Sequence, residues 1–287
     1  MLRQLSRGCW VSHSRVFATN SAVFVNEGVA YLLDPGITPD ELSSIAAFVV
    51  AQGAEVSGIV LSHAHWDHLL GASRFPDVPV IATEVYRKVV DRHARDLCRQ
   101  VARWSAAEGL TAYDDFVPPE PDVAFSKRLT LRFGALELTI MAAPGHAPDQ
   151  CVVYEPDAAL LWAGDMLSDL EVPMVMDTFA AYLRTLRRLC ALRIEILIPG
   201  HGTPTLDREE IYGRFGRDEA YLEEVYACVG KAVVEGASLE ETVARCEWIP
   251  FAQPDSYPHA HAWNIEQAYR EHGGPTEGLV GWDKDWV

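Results

Sequence analysis

The chain has 287 residues, 49% of them hydrophobic, which is enough to bury a large core without external staples. Its 41 acidic against 24 basic side chains give a formal net charge of -17. Such a field repels phosphate backbones and anionic membrane surfaces, and no basic cluster reverses it locally, so neither nucleic acid nor a membrane is expected as a partner.

Residues 1–10 carry Arg3 and Arg7 but no apolar run of signal-peptide length, and no later stretch reaches membrane-spanning length without a charge. A soluble cytoplasmic protein is the expectation. Residues 21–33 (SAVFVNEGVAYLL) read as two strands hinged at Asn26-Glu27-Gly28, closed by the turn Asp34-Pro35-Gly36. Residues 39–52 have acidic groups in a first turn and then helical apolar spacing, ending at Gly53. A short buried strand follows at residues 58–61, another at 78–82, and then a long amphipathic helix over 84–108. The densest basic group, between residues 87 and 103, alternates with Asp91, Asp96 and apolar residues, as the wet face of that helix would. Beyond a proline-rich loop at 117–121, strands are expected at 128–133, 136–142, 151–155 and 159–162, a helix at 180–192 and a last buried strand at 195–198.

After Thr205 the character turns helical: residues 208–236, 238–246 with Ser238 and Glu241 spaced as a capping box, and 258–272. The division expected is an α/β domain over 1–206 and a helical extension over 207–287 that packs on it and helps cover any site it carries. The six cysteines, Cys9, Cys98, Cys151, Cys190, Cys228 and Cys246, form no close pair and read as buried free thiols.

Three histidines and an aspartate stand together in His63-Ala64-His65-Trp66-Asp67-His68, directly after a buried strand, where α/β sheets place their chemistry. Extended backbone puts His63 and His65 on one face, so both imidazoles can reach one borderline-soft ion. Asp67 and His68, after a turn, can reach a second ion beside it. Three further strands each end in a glycine and one ligand-type residue: Gly145-His146, Gly164-Asp165 and Gly200-His201. Trp66, between the ligands, is expected to pack rather than to touch substrate.

These residues resemble the metallo-β-lactamase superfamily, whose hallmark is H-x-H-x-D-H followed by a distant His, Asp and His. The resemblance runs over about residues 20–205 and includes Asn20-Ser21 on the early strand and the Leu33-Asp34-Pro35-Gly36 turn. It implies an α/β fold, an αββα sandwich of two mixed sheets flanked by helices. It also implies that His63, His65 and His146 hold a first metal, that Asp67, His68 and His201 hold a second, and that Asp165 bridges them. The expected cofactors are two divalent ions, Zn2+ first, with Fe or Mn accepted by the same donors. Ions so close acidify a water between them, so hydroxide is supplied without a serine or cysteine nucleophile, and Asp67 can orient it.

Departures from particular subfamilies narrow the reaction. Asp165 argues against β-lactam hydrolysis, which uses no bridging aspartate. His65 argues against the flavin-linked diiron reductases, and the acidic surface against RNA processing. Ester, thioester or lactone hydrolysis of a small molecule remains. A glutathione thioesterase would want cations in the C-terminal helices, where Lys231 is the one lysine before the tail; a lactonase usually carries tyrosine where this chain has Ser168. Alternatives on the same fold are a non-heme iron oxidoreductase resembling persulfide dioxygenases and a metal-retaining ligand-binding regulator. Candidate substrate contacts are Ser168, Tyr182, His259 and His261, with Met174, Tyr257 and Asn264 near them. The tryptophan-bearing tail, Trp282 to Trp286, can dock on its own chain or on a second copy in a homo-oligomer.

Overall fold

The computed structural model describes residues 2–250 and 259–275. The chain opens with four antiparallel strands, β1 (Arg3–Ser6), β2 (Cys9–His13), β3 (Asn20–Asn26) and β4 (Val29–Leu33). The β3–β4 connection is the two-residue loop Glu27-Gly28, both residues at positive φ (48° and 79°), the geometry that matches the right-handed twist of a hairpin. A crossover through α1 (Pro39–Ala51) then brings β5 (Glu55–Val60) parallel to β4. Thr38 and Glu41 close a capping box at the start of α1, with Pro39 pre-set for its first turn. The single turn α2 (Trp66–Leu69), a 3-10 segment over Leu70–Arg74, β6 (Val80–Thr83), α3 (Glu84–Ala107) and β7 (Val123–Phe125) complete a seven-stranded sheet in chain order.

The second sheet has five strands. β8 (Arg128–Phe133), β9 (Leu136–Ala142), β10 (Cys151–Glu155) and β11 (Leu160–Trp162) run antiparallel, and a crossover through α4 (Phe179–Cys190) adds β12 (Ile196–Ile198) parallel to β11. The helices α5 (Arg208–Val234), α6 (Leu239–Cys246) and α7 (Ala260–Glu271) follow.

The period of two along each strand distributes the apolar residues among three interfaces. Ala22, Phe24, Leu33, Val60 and Ile81 point from the first sheet toward Leu138, Ile140, Val153, Leu160, Trp162 and Ile198 of the second, and these form the layer between the sheets. Their neighbours in sequence, Val23, Leu32, Ile59 and Leu61, face the other way and pack on Ile45 and Val49 of α1 and Leu97 and Val101 of α3. Val152, Leu161 and Leu197 do the same on the far side, against Tyr182 and Leu186 of α4, Leu222 and Val225 of α5, and Ile265 and Ala268 of α7. Helix, sheet, sheet, helix is the αββα arrangement. The C-terminal helices share their core with the second sheet; it is not a core of their own.

One expectation is corrected: the cysteines are not all free thiols. Cys228 of α5 and Cys246 at the end of α6 are joined in a disulfide, with Cα atoms 6.3 Å apart. The two helices turn back on each other at Gly236-Ala237, which brings residues 18 apart in sequence face to face. Among the described residues Cys9, Cys98, Cys151 and Cys190 are free. No described helix is long and apolar enough to cross a membrane.

Candidate metal centre

Four strand ends deliver the candidate ligands. His63 and His65 extend beyond β5, and His146 lies four residues after β9. Asp165 and His201 follow β11 and β12, which pair in parallel with Trp162 opposite Ile198, so each ligand sits three residues past its member of that pair. The two loops then lie side by side, tied by a bond from the Gly200 amide to the Gly164 carbonyl (2.6 Å). Glycine is required at 200: a Cβ there would stand 2.1 Å from Asp165 Oδ1. Asp67 and His68 are carried by the one-turn helix α2.

The ligand-type atoms converge in two groups, one of His63, His65, His146 and Asp165, the other of Asp67, His68 and His201, the atoms of each within 4.8 Å of one another. His146 Nε2 faces His65 Nδ1 at 3.1 Å, and His68 Nε2 faces His201 Nε2 at 3.2 Å. Asp165 reaches both groups. Its Oδ2 lies 3.4 Å from His63 Nε2, 3.5 Å from His146 Nε2 and 3.3 Å from His201 Nε2, while Oδ1 lies 3.2 Å from His68 Nε2. Asp67 Oδ2 stands 3.2 Å from His201 Nε2.

Four of the five imidazoles present Nε2 inward because something outside accepts a hydrogen bond from Nδ1. His146 Nδ1 donates to the Met174 carbonyl (3.1 Å) and His201 Nδ1 to the Phe17 carbonyl (2.9 Å). His68 Nδ1 donates to Asp34 Oδ2 (3.0 Å). His63 Nδ1 donates to Ser62 Oγ (2.9 Å), whose own hydroxyl donates to the same Asp34 oxygen (2.5 Å). His65 alone turns Nδ1 inward. Inside, His63 Nε2 and Asp165 Oδ1 are buried without a hydrogen-bond partner. Buried polar atoms left so are costly in a protein interior, and imidazole nitrogens aimed at imidazole nitrogens around a shared carboxylate are a donor set that fits divalent metal.

The electrostatics differ between the groups. Burial, with His63 and His146 adding to it, pushes His65 well below its ordinary range, and burial takes His146 down to about 3 against the pull of Asp165. Burial also opposes charge on His68 and His201, but there the carboxylates win: Asp165, Asp67 and Asp34 hold His68 well up, and Glu171 and Asp165 do the same for His201. Against the effect of burial, the same imidazoles hold Asp67 and Asp165 below the usual carboxylate range.

The structure adds supports that sequence reading did not assign. Asp34, known from sequence only as part of a turn, accepts from the Ser62 amide (2.8 Å) as well as from the groups above. Asn20 donates to the Pro199 and Gly202 carbonyls (both 2.9 Å), gripping the loop of His201 from two sides. Asp149 accepts from the Ala64 amide (2.8 Å), between His63 and His65, and Gln150 accepts from the Asp165 amide (3.1 Å).

The weaker candidates divide. Ser168 lies on the loop after Asp165, half-buried, its hydroxyl accepting from the Leu170 amide. Tyr182 is fully buried beneath Gly145, whose Cβ, if present, would meet its Cα at 2.5 Å; it packs behind His146 and does not line an open cleft. His261 is also buried, bonded to the Tyr221 hydroxyl (2.8 Å) and to the Cys246 carbonyl (3.0 Å), so it holds helices together. His259 is exposed at the start of α7. Tyr257 and the tail tryptophans lie outside the described residues. Trp66 is buried, its ring 5.8 Å from Phe17 and 5.2 Å from Trp104.

The chain is 31% identical over 157 residues to an uncharacterized protein of Aquifex aeolicus, covering 52% of this chain and 66% of that one. It is 29% identical over 153 residues to a hydroxyacylglutathione hydrolase of Jannaschia sp. (51% and 50%), and 24% identical over 180 residues to the acyl-coenzyme A thioesterase MBLAC2 of Gallus gallus (57% and 63%). The chain thus spans between a half and two thirds of the length of the curated relatives it matches. In structure it resembles the metallo-beta-lactamase family protein TTHA1429 of Thermus thermophilus, with a TM-score of 0.67 and 19% identity over 94% of this chain and 95% of that one. It also resembles the sec-alkylsulfatase Pisa1 from Pseudomonas sp., with a TM-score of 0.73 and 17% identity over 96% of this chain and 51% of that one. The model of the metallo-beta-lactamase superfamily matches residues 14–201, from the loop before β3 to the last ligand-type histidine, and the chain belongs to that superfamily.

Proposed function

We propose that the protein is a dinuclear metal-dependent hydrolase of a small carbonyl ester, thioester or lactone. The carrying observation is that one buried carboxylate, Asp165, stands within 3.5 Å of imidazole nitrogens from both groups. His63, His65 and His146 would hold a first ion, Asp67, His68 and His201 a second, and Asp165 would join them. Zinc suits this nitrogen and oxygen set, and iron or manganese is accepted by the same residues. Two divalent ions bound there supply Lewis acidity and lower the pKa of water toward neutrality.

What the chain itself contributes is orientation and charge. The outer acceptors of His63, His68, His146 and His201 fix these four imidazoles in the tautomer that turns Nε2 inward as a donor atom for metal. Asp67, its side chain 11% exposed, is the more open of the two carboxylates, placed to accept a hydrogen bond from the attacking water. The relatives named hydroxyacylglutathione hydrolase and acyl-coenzyme A thioesterase support a thioester among the candidates. On the C-terminal helices, Arg214, Arg217, Arg245 and Arg270 each already meet a glutamate, which leaves Arg208 and Lys231 as the other basic residues there for an anionic handle on the substrate.

The test is a hydrolysis panel of thioesters, lactones, aryl esters and phosphodiesters, run on zinc-loaded protein with Asp165→Asn as control. Turnover of a carbonyl substrate is expected, with the variant down at least about a hundredfold. Turnover that persists in the variant would remove Asp165 from the mechanism, and oxygen consumption on a persulfide with one iron per chain would replace the hydrolase reading altogether.

A further inference from the structure

The segment Pro173-Met174-Val175-Met176 lies between the metal centre and α7, and its backbone groups are shared between the two. On one side His146 Nδ1 donates to the Met174 carbonyl (3.1 Å), and the Met176 amide donates back to the His146 carbonyl (2.9 Å). On the other side Asn264 accepts from the Val175 amide (2.9 Å) and donates to the Pro173 carbonyl (3.0 Å), while Trp263 Nε1 donates to the Val175 carbonyl (2.8 Å). Asn264 is fully buried and Trp263 nearly so.

The Met174 carbonyl and the Val175 amide belong to one planar peptide group. That single plane therefore accepts from His146 at one end and donates to Asn264 at the other. Hydrogen bonds in series across an amide polarise one another, and a rigid plane transmits orientation as well as charge. Asn264 is in turn fixed from behind by the Tyr221 hydroxyl of α5 (3.1 Å), and the Glu271 carboxylate accepts from the Phe179 amide at the start of α4 (2.9 Å). His146 is thus the ligand whose outer support comes from the C-terminal helices.

We propose that Asn264, assisted by Trp263, is a positioning residue for the metal ligand His146, so that α7 sets the tautomer and aim of that imidazole through one shared peptide group. The inference rests on the reading of His63, His65, His146 and Asp165 as a metal site. It gives the helical extension a part in metal binding that does not require it to reach the substrate.

The experiment measures zinc affinity by competition with a chromophoric chelator in the full chain carrying His201→Ala, which leaves the first group as the site observed. Adding Asn264→Leu is expected to weaken zinc binding about tenfold or more. Asn264→Asp, which keeps the acceptor for Val175, is expected to stay within about threefold of the parent, since the acceptor and not the amide nitrogen holds the Met174 peptide. Trp263→Phe, which keeps the ring and loses the Nε1 donor, is expected to fall between them. In the metal-free protein, the His146 Nδ1–H proton resonance, assigned by its loss in His146→Ala, should exchange faster with water in the Leu variant. Tyr269→Phe, which loses the hydroxyl bond to the Ala237 carbonyl (2.9 Å), is the stability control: it is expected to lower the melting temperature and leave zinc affinity unchanged. If Asn264→Leu and Trp263→Phe lower only the melting temperature, with affinity and proton exchange as in the parent, the inference is overturned. If the His201→Ala parent binds no zinc, the metal reading fails first and the inference falls with it.

Discussion

Two backbone carbonyls do the same task for the two groups of the candidate metal centre, and they are held in different ways. Met174 offers its carbonyl to His146 from a segment whose neighbouring groups are taken by buried side chains of α7, some ninety residues downstream. Phe17 offers its carbonyl to His201 from a short loop held by backbone bonds: within the loop the Ser14 amide donates to Thr19 and the Thr19 amide to Val16, and from the His201 loop the Gly202 amide donates to Ala18. In that loop Phe17 and Ala18 both have φ near +52°, and Phe17 is 40% exposed. One support is distant and dry; the other is local, exposed and conformationally costly. The outer support of His146 is therefore anchored on the helical extension, and that of His201 on the region just before β3. Asp34 stands behind both, bonded to His68 directly and to His63 through Ser62.

The largest effect that tests this contrast is expected at Asp34. Asp34→Asn removes the charge behind both groups at once, and zinc affinity at each should fall about 10–100-fold. Ser62→Ala, by comparison, should weaken only the site that contains His63. Equal losses at both sites from Ser62→Ala would break the distinction between them.

A smaller effect concerns α5, which supports the Asp165 loop as α7 supports the His146 loop. Arg214 donates to the Leu167 carbonyl (3.1 Å), and the buried carboxylate of Asp218 accepts from the Leu167 backbone. Burial pushes Asp218 up to about 7, partly offset by Leu167, Arg217 and Arg214. The sign follows from linkage: a carboxyl whose folded pKa lies above its unfolded value of about 3.9 is protonated more readily in the fold, so stability is greatest below that value and declines as pH rises toward 7. Asp218→Asn should therefore raise the melting temperature at pH 8 and leave it nearly unchanged at pH 4. A gain of equal size at both pH values would assign the effect to something other than charge.

The smallest effect is at the exposed loop. Ala18→Gly relieves a left-handed backbone and should stabilise the protein by up to about 1 kcal/mol in urea unfolding, with zinc affinity at the second group unchanged, because the Phe17 carbonyl is retained.

The candidate ligands were legible in the sequence because six residues at a strand end carry four of them and the other three repeat one pattern of glycine followed by a ligand-type residue. The two sheets were legible where strands run long and apolar, as in β3, β4, β9 and β10. β1, β2 and β7 were not: Arg3–Ser6 is mostly polar, Cys9–His13 mixes polar and apolar residues, and Val123–Phe125 has three residues. The outer supports were illegible for a different reason. A backbone carbonyl such as that of Met174 or Phe17 has no signature in residue type, and Asn264 reaches Val175 only once the chain has folded back across 89 positions. The same fold-back left the C-terminal histidines open in sequence, as substrate contacts or as groups that cap and pack the last helix. His261 has the chemistry of a catalytic group, but Tyr221 and the Cys246 carbonyl occupy both its ring nitrogens. The Cys228–Cys246 bond was hidden likewise, since helical pairing, not sequence spacing, brings the two together.

The most direct test of the central claim is a calorimetric titration of chelator-stripped protein with Zn2+. Two ions per chain are expected in the native protein and one in His201→Ala. A single ion in both, or none, would contradict the dinuclear centre.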